Sequence, residues 1–344
     1  MTEAPDAPPT LPLPHVSLAG PALFRYVATK CGLLQDPFAG RVVARSSTGL
    51  YWFLAFLLSL GSVVPVIWGF VIKQYDRISP GVLGWVVART RWLDRVYASS
   101  DAEQVVFLNA GFDFRPYRLA SPAGAALFEV DAPSAQSQKL SLLAALGGKK
   151  EALRRITFAS VDLEEEAAKG GGGGVAAALA SVGVDPAKRT LFLLEGSLNV
   201  MSRTAALATL EAAGKWPPGS ALALTFISAD VEPAPDRKEG GGRGGGRGAG
   251  SGPGSGYGAE AHLENRGPFA YFYPPGGDAC EPWLLRAYGG GGKAAPVAVA
   301  VAKHSASEAL EREVLARLAS WPSYVCGKFR CMGHTHAVLL QVAK

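Results

Sequence analysis

Three carboxylates in this chain, Asp131, Asp162 and Glu195, each follow directly on an apolar run, and a small turn, Asn109-Ala110-Gly111, closes another such run. Acids at the tips of buried strands are placed to receive hydrogen bonds from a ligand. Asp131 can accept two from the vicinal hydroxyls of a ribose, Asp162 can accept one from an exocyclic amine such as that of adenine, and Glu195 lies where an amino group or an acceptor would sit. The glycine-bearing turn lets backbone approach such a ligand closely. Any one of these acids could equally be a solvated loop carboxylate. At successive strand ends they point to one site.

The elements that must position them follow from the apolar pattern. Residues 105–108, 125–130, 157–161, 190–194, 221–227 and 337–342 read as strands, with helical segments at 135–146, 204–213 and 308–318. Strands alternating with helices predict an α/β fold, a doubly wound and mostly parallel sheet covered by helices on both faces. In such a sheet ligands bind beyond the carboxyl ends of the strands, where the strand order reverses.

The turn itself narrows the ligand. A dinucleotide site calls for G-x-G-x-x-G, yet Gly111 is followed by Phe112-Asp113-Phe114-Arg115, which lacks the pyrophosphate cradle and puts a carboxylate where a phosphate would approach. A cofactor without phosphates fits better. S-adenosyl-L-methionine has an adenosine half for Asp131 and Asp162, and an amino-acid tail that wants both an acid and a base.

A set of motifs then carries a family resemblance. The runs Ala88-Arg89-Thr90-Arg91-Trp92-Leu93-Asp94, VVFLNAGFDFRPYRL from Val105 to Leu119, Phe128-Glu129-Val130-Asp131 with Pro133 and Lys139, Val161-Asp162-Leu163, and Leu194-Glu195-Gly196-Ser197-Leu198 resemble the leucine carboxyl methyltransferase family in order and spacing. The resemblance runs from Leu23 to about Tyr288. It implies a class I, Rossmann-like methyltransferase sheet of seven strands with a helical N-terminal lid, using S-adenosyl-L-methionine. By the same resemblance Arg25 and Arg89 bind the cofactor's carboxylate, Asn109, Ala110 and Gly111 form the close-approach turn, Asp131 holds the ribose, Asp162 with Leu163 frames the adenine, and Glu195 faces the methionine end. A guanidinium suits such a carboxylate because it can bind it through two parallel hydrogen bonds. Two departures stand out: Asn109 replaces the family's first turn glycine, and Phe114 replaces a small hydroxyl residue between Asp113 and Arg115.

Methyl transfer is an in-line displacement that chiefly needs alignment and exclusion of water. A carboxylate acceptor has no proton to lose, whereas a hydroxyl needs a general base, for which Glu195 and Asp113 are the candidates, with Tyr117 positioning the acceptor. The acceptor is expected to be a small molecule or a protein carboxylate. A second reading is a catalytically weak binding protein that keeps the fold and has lost cofactor affinity through Asn109.

Composition bounds the remainder. The chain has 344 residues, 48% of them hydrophobic, with a net charge of +5 and scattered basic residues, so no nucleic-acid partner is expected. Residues 1–20 read as a disordered leader without the basic start of a signal peptide, residues 21–97 as the helical lid, and 98–344 as the methyltransferase domain, interrupted by glycine-rich loops near 169–175, 238–258 and 289–293. A cytoplasmic location follows as the default. The uncharged segment 50–72 has two readings, a pair of short helices broken near Pro65 within the lid, or a membrane-associated helix. The four cysteines and the pair His334 and His336 have no metal-site spacing, and Gly196-Ser197-Leu198 lacks the second glycine of a hydrolase's nucleophile elbow.

Overall fold

The computed structural model of the chain describes residues 16–30, 34–45, 82–145, 155–198, 200–227, 302–303 and 335–341. In chain order the described elements are α1 (Val16–Lys30), α2 (Ala39–Arg45), α3 (Val82–Ala98), β1 (Gln104–Leu108), α4 (Arg115–Arg118), β2 (Ala126–Asp131), α5 (Pro133–Ala145), β3 (Ile156–Ser160), α6 (Leu163–Ser181), β4 (Thr190–Glu195), α7 (Arg203–Gly214), β5 (Ala221–Ile227), β6 (Ala302–Lys303) and β7 (Thr335–Gln341). The strands form one sheet in the order β3-β2-β1-β4-β5-β7-β6. Strands β1 to β5 pair in parallel, whereas β7 runs antiparallel to β5 and to β6. The order therefore reverses between β1 and β4, which makes their carboxyl ends the switch point where an open α/β sheet binds ligands.

Two-residue periodicity explains how the sheet is buried on both sides. Val106 and Leu108 of β1 pack with Phe192 and Leu194 of β4 and Leu222 and Leu224 of β5 against α6 and α7. Val105 and Phe107 turn to the opposite face and meet Ala88, Trp92, Leu93 and Tyr97 of α3. Each such side chain contributes on the order of 1.5–3 kcal/mol by leaving water, so the two layers fix the strand ends firmly. Phe192 also meets the Trp216 ring edge-on, with centroids 5.0 Å apart.

Three expectations change here. The leader expected through residue 20 is already helical from Val16, although Pro21 inside α1 supplies no N–H. The lid expected over 21–97 ends in α3, which is a layer of the core and not a cover, because its apolar face packs on the sheet. The glycine tract expected as a loop near 169–175 lies within α6, which is interrupted by a kink at Gly170 and Gly171 and does not loop out. Helical residues on either side reach the sheet through Leu163, Ala167, Val175 and Leu179. Gly172 faces α7 so closely that a Cβ there would come within 2.6 Å of Glu211 Cδ, so close helix packing takes up the glycine that composition assigns to a loop. The expected loops at 238–258 and 289–293, the helix at 308–318 and the apolar segment 50–72 lie outside the described residues. Among the described residues, no helix is long and apolar enough to cross a membrane.

Candidate active site

The turn after β1 is built on left-handed backbone. Asn109 has φ 48° and Gly111 φ 40°, a region open to glycine and, among other residues, most readily to asparagine. Asn109 thus keeps the left-handed turn in place of a glycine. Asn109→Ala is expected to cost about 1 kcal/mol of stability, read as a lowered denaturant midpoint, and Asn109→Gly close to nothing.

Asp131 locks this turn from the neighbouring strand. Its Oδ2 accepts from the Gly111 N–H at 2.6 Å and its Oδ1 from the Ala132 N–H at 2.8 Å. Burial raises the Asp131 carboxyl above the usual carboxylate range, and the two N–H donors oppose that shift. Asp162 caps α6 with Oδ1, which accepts from the Glu164 and Glu165 N–H groups at 2.9 and 3.4 Å, and Leu163 is buried in the core below it.

On the other side of the turn lies a pocket lined by α1, α3, β1, β4 and the segments that follow β1 and β4. Its wall includes Arg25, Arg89, Asn109, Ala110, Gly111, Asp113 and Glu195, with Pro21 and Val200 as apolar members. Arg25 is fixed by Asp36, whose Oδ2 lies 2.9 Å from its Nε, and by donation from Nη2 to the Phe112 carbonyl at 2.7 Å. Asp36 in turn accepts from the N–H groups of Phe38 and Ala39, at the start of α2. Arg89 Nε lies 2.9 Å from Glu195 Oε1, but the pair is not aligned for a hydrogen bond, so both buried atoms are without one. Desolvation lowers the Arg89 pKa, and Glu195 opposes that shift. Gly196, with φ 66°, leaves room for the Arg89 guanidinium, which would sit 3.0 Å from a Cβ at that position.

Behind Glu195 stands a fully buried arginine that the strand-end reasoning did not assign. Arg115 Nη1 lies 2.6 Å from Glu195 Oε2 and 2.5 Å from Asp113 Oδ2, and its Nε lies 2.9 Å from Asp94 Oδ1. Asp94 is shared with Arg118. Although burial alone would raise the Glu195 carboxyl, Arg115, Arg89 and Arg25 together hold it well below the usual carboxylate range.

The expected site residues therefore fall into three groups. Arg25, Arg89, Asn109, Ala110, Gly111, Asp113 and Glu195 share the pocket wall. Asp131, Asp162 and Leu163 lie at the tips of β2 and β3, beside the turn and not on that wall. Tyr117 is not brought to the pocket. The short helix α4 turns its ring toward Phe38 and Phe114, and burial followed by the nearby Glu129 carboxylate pushes its phenol far above its ordinary value. Gly196, Ser197 and Arg115 are the parts that spacing alone missed, although all three fall within the motifs quoted above.

The model of the family described as leucine carboxyl methyltransferase matches residues 19–214, more than half of the chain. The chain belongs to the leucine carboxyl methyltransferase family. Among relatives of this family member, a protein of Mycolicibacterium paratuberculosis named "Putative S-adenosyl-L-methionine-dependent methyltransferase" is 31% identical over 221 residues, covering 62% of this chain and 64% of that protein. A protein of the same name from Mycobacterium bovis strain BCG is 33% identical over 183 residues, covering 51% and 54%. The chain thus matches less than two thirds of the length of these curated relatives. Among solved structures, an O-methyltransferase family protein from Burkholderia thailandensis aligns over 95% of this chain and 72% of its own, with 13% identity and a TM-score of 0.40.

Proposed function

We propose that the chain transfers a methyl group from S-adenosyl-L-methionine to a carboxylate oxygen. The observation that carries this reading is one pocket wall bearing two guanidinium groups, Arg25 and Arg89, beside the Glu195 carboxylate, while Asp113, the wall's other acid, is engaged by Arg115. A zwitterionic amino-acid tail is complementary to that pattern, its carboxylate to the arginines and its ammonium to Glu195.

The residues present fit the cofactor on two counts. Arg89 Nε and Glu195 Oε1 face each other at the wall as an ion pair 2.9 Å apart but misaligned for a hydrogen bond, so a zwitterionic ligand would engage both in better geometry. The left-handed turn at Asn109 and Gly111 supplies a backbone surface close enough for a ligand to lie along it. Asp131 would hold the ribose, using lone pairs left after its backbone bonds, and Asp162 with Leu163 would frame the adenine. When bound, the cofactor supplies an electrophilic methyl group on a sulfonium leaving group. The chain's own task is to orient, to exclude water and to place the acceptor. Asn109 in left-handed backbone supports the catalytic reading over that of a binding protein without catalysis.

The carboxylate acceptor follows from the state of the candidate bases. Glu195 is held ionised by three arginines, which makes it a weak proton acceptor. Both Asp113 oxygens are engaged by Arg115, one by its backbone N–H at 2.9 Å and the other by its guanidinium. Tyr117 faces away. Among the described residues of the pocket wall, then, none of the bases expected from sequence is placed to take a proton from a hydroxyl. An acceptor that is already an anion needs no such group. The single-turnover rate is expected to stay level from about pH 6 to about pH 9, whereas dependence on a base would make it rise about tenfold per pH unit below the pKa of that base. A sloping profile would overturn the carboxylate assignment.

A further inference from the structure

The Glu195 carboxylate faces charge from several elements. Arg25 on α1 and Arg89 on α3 approach it from the pocket side, while Arg115 on α4, itself paired with Asp113 and with Asp94 of α3, approaches from behind. Arg115 is 1% exposed and is not part of the pocket wall. Its donors are committed: Nη1 to Glu195 and Asp113, Nε to Asp94, and Nη2 to the Thr90 carbonyl at 3.4 Å. A guanidinium anchored at three points has one available geometry. It draws Oε2 of Glu195 inward and leaves Oε1 at the wall, 2.9 Å from Arg89 Nε but without a hydrogen bond to it.

We infer that Arg115 is the positioning residue that makes this pocket a receptor for a zwitterion, by holding Oε2 of Glu195 from behind so that only Oε1 reaches Arg89 at the wall and the remaining donors of Arg89 and Arg25 face the ligand's carboxylate. Remove Arg115 and the wall still holds Glu195, Asp113 and two arginines, but Glu195 now has only those arginines as partners. Glu195, already 2.9 Å from Arg89 through Oε1, then loses the hold on Oε2, turns further into the pocket and competes with the ligand's carboxylate. Its aim at the ligand's ammonium is lost as well. With one cation fewer around a buried carboxyl, protonation also becomes easier, so the variant loses its anion on mild acidification where the native protein keeps it.

This inference rests on the methyltransferase reading, and titration calorimetry with S-adenosylhomocysteine from about pH 5 to about pH 7.5 separates the two; over that range the ligand keeps both its ammonium and its carboxylate. The native protein is expected to bind with little change across the range. Arg115→Gln should bind about tenfold more weakly at the upper end, and weaken about tenfold further toward the lower end as Glu195 takes a proton. Arg115→Lys should recover part of the affinity and most of the flat profile. A purely structural loss would lower affinity equally at every pH. Should Arg115→Gln not fold, Asp94→Asn, which removes one anchor and keeps the guanidinium charge beside Glu195, is expected to give a smaller loss with a profile as flat as the native one, and a pH slope in that variant would overturn the inference. Native binding together with a flat profile in folded Arg115→Gln would overturn this inference alone. Absence of native binding would overturn the methyltransferase reading and this inference with it.

Discussion

Glu195→Ala is expected to be the most damaging single change at the pocket, weakening S-adenosylhomocysteine binding by roughly a hundredfold or more and removing methyl transfer with it. The substitution deletes the acid proposed to meet the ammonium group, since Asp113 on the same wall is engaged by Arg115, and it leaves Arg89 and Arg115 buried with less opposing charge. Breaking a buried pair by removing one partner costs about 3–5 kcal/mol, so a lowered melting temperature should accompany the lost affinity. The pH dependence has a definite sign. The folded carboxyl of Glu195 is depressed below its unfolded value, so its contribution is present above the unfolded pKa of about 4.3 and fades only as pH falls below that toward the folded value. The stability gap between native protein and Glu195→Ala, measured by urea unfolding, should therefore be constant above about pH 5 and narrow only in stronger acid. A variant that binds the ligand as the native protein does would remove Glu195 from the site.

Lys139→Met is expected to produce the largest loss of stability outside the pocket. Lys139 Nζ lies 2.7 Å from Glu129 Oε2 and donates to the Asp113 carbonyl at 2.6 Å, and both members of the ion pair have side chains only 2% exposed. The ammonium also sits 5.5 Å from the Phe114 ring centroid and 5.6 Å from that of Tyr117. It therefore ties β2 and α5 to the segment that runs from the turn into α4. Removing it should cost about 3–5 kcal/mol, because Glu129 is left as an uncompensated buried anion. Burial already raises the Glu129 carboxyl, with Lys139 opposing the shift, so the variant's folded carboxyl stands further above its unfolded value. For a carboxyl raised in this way the penalty is absent below the unfolded pKa of about 4.3 and grows as pH rises toward the folded value. Lys139→Met should accordingly be closest to native stability in mild acid. The double variant Lys139→Met with Glu129→Leu should recover most of the loss, since an apolar pair of similar volume carries no desolvation cost. A single variant whose stability deficit did not change with pH would contradict this account of Glu129.

Strands β1 to β5 were legible to within a residue or so at each end, because the short apolar runs ending in Leu108, Val130 and Leu194 are buried on both faces and leave little freedom in register. The pocket wall was legible through motif order, which brought Arg25, Arg89 and Glu195 into one site although they are far apart in the chain. Arg115 was not assigned a role, since an arginine reads as exposed until three acids, Asp94, Asp113 and Glu195, are seen to converge on it. That convergence is a property of the fold, and no local spacing encodes it. Tyr117 fails for the converse reason: it is near the turn in sequence, but one turn of α4 points it at Phe38 and the Lys139–Glu129 pair. Within the glycine tract of α6, Gly172 is explained by the approach of Glu211 of α7 and Gly174 by the Glu166 carbonyl of the preceding turns, contacts that no local spacing encodes. Composition could register only the entropy of glycine and so predicted a loop.

The wall formed by Arg25, Arg89 and Glu195 beside the Asn109–Gly111 turn is proposed to receive the amino-acid tail of S-adenosyl-L-methionine. Isothermal titration of the full chain with S-adenosylhomocysteine at neutral pH, with adenosine as the tail-less comparison, tests it most directly. Saturable binding of one ligand per chain is expected, with adenosine weaker by about a hundredfold or more because it lacks both charges of the tail. No heat at near-millimolar S-adenosylhomocysteine, or equal affinity for adenosine, would contradict it.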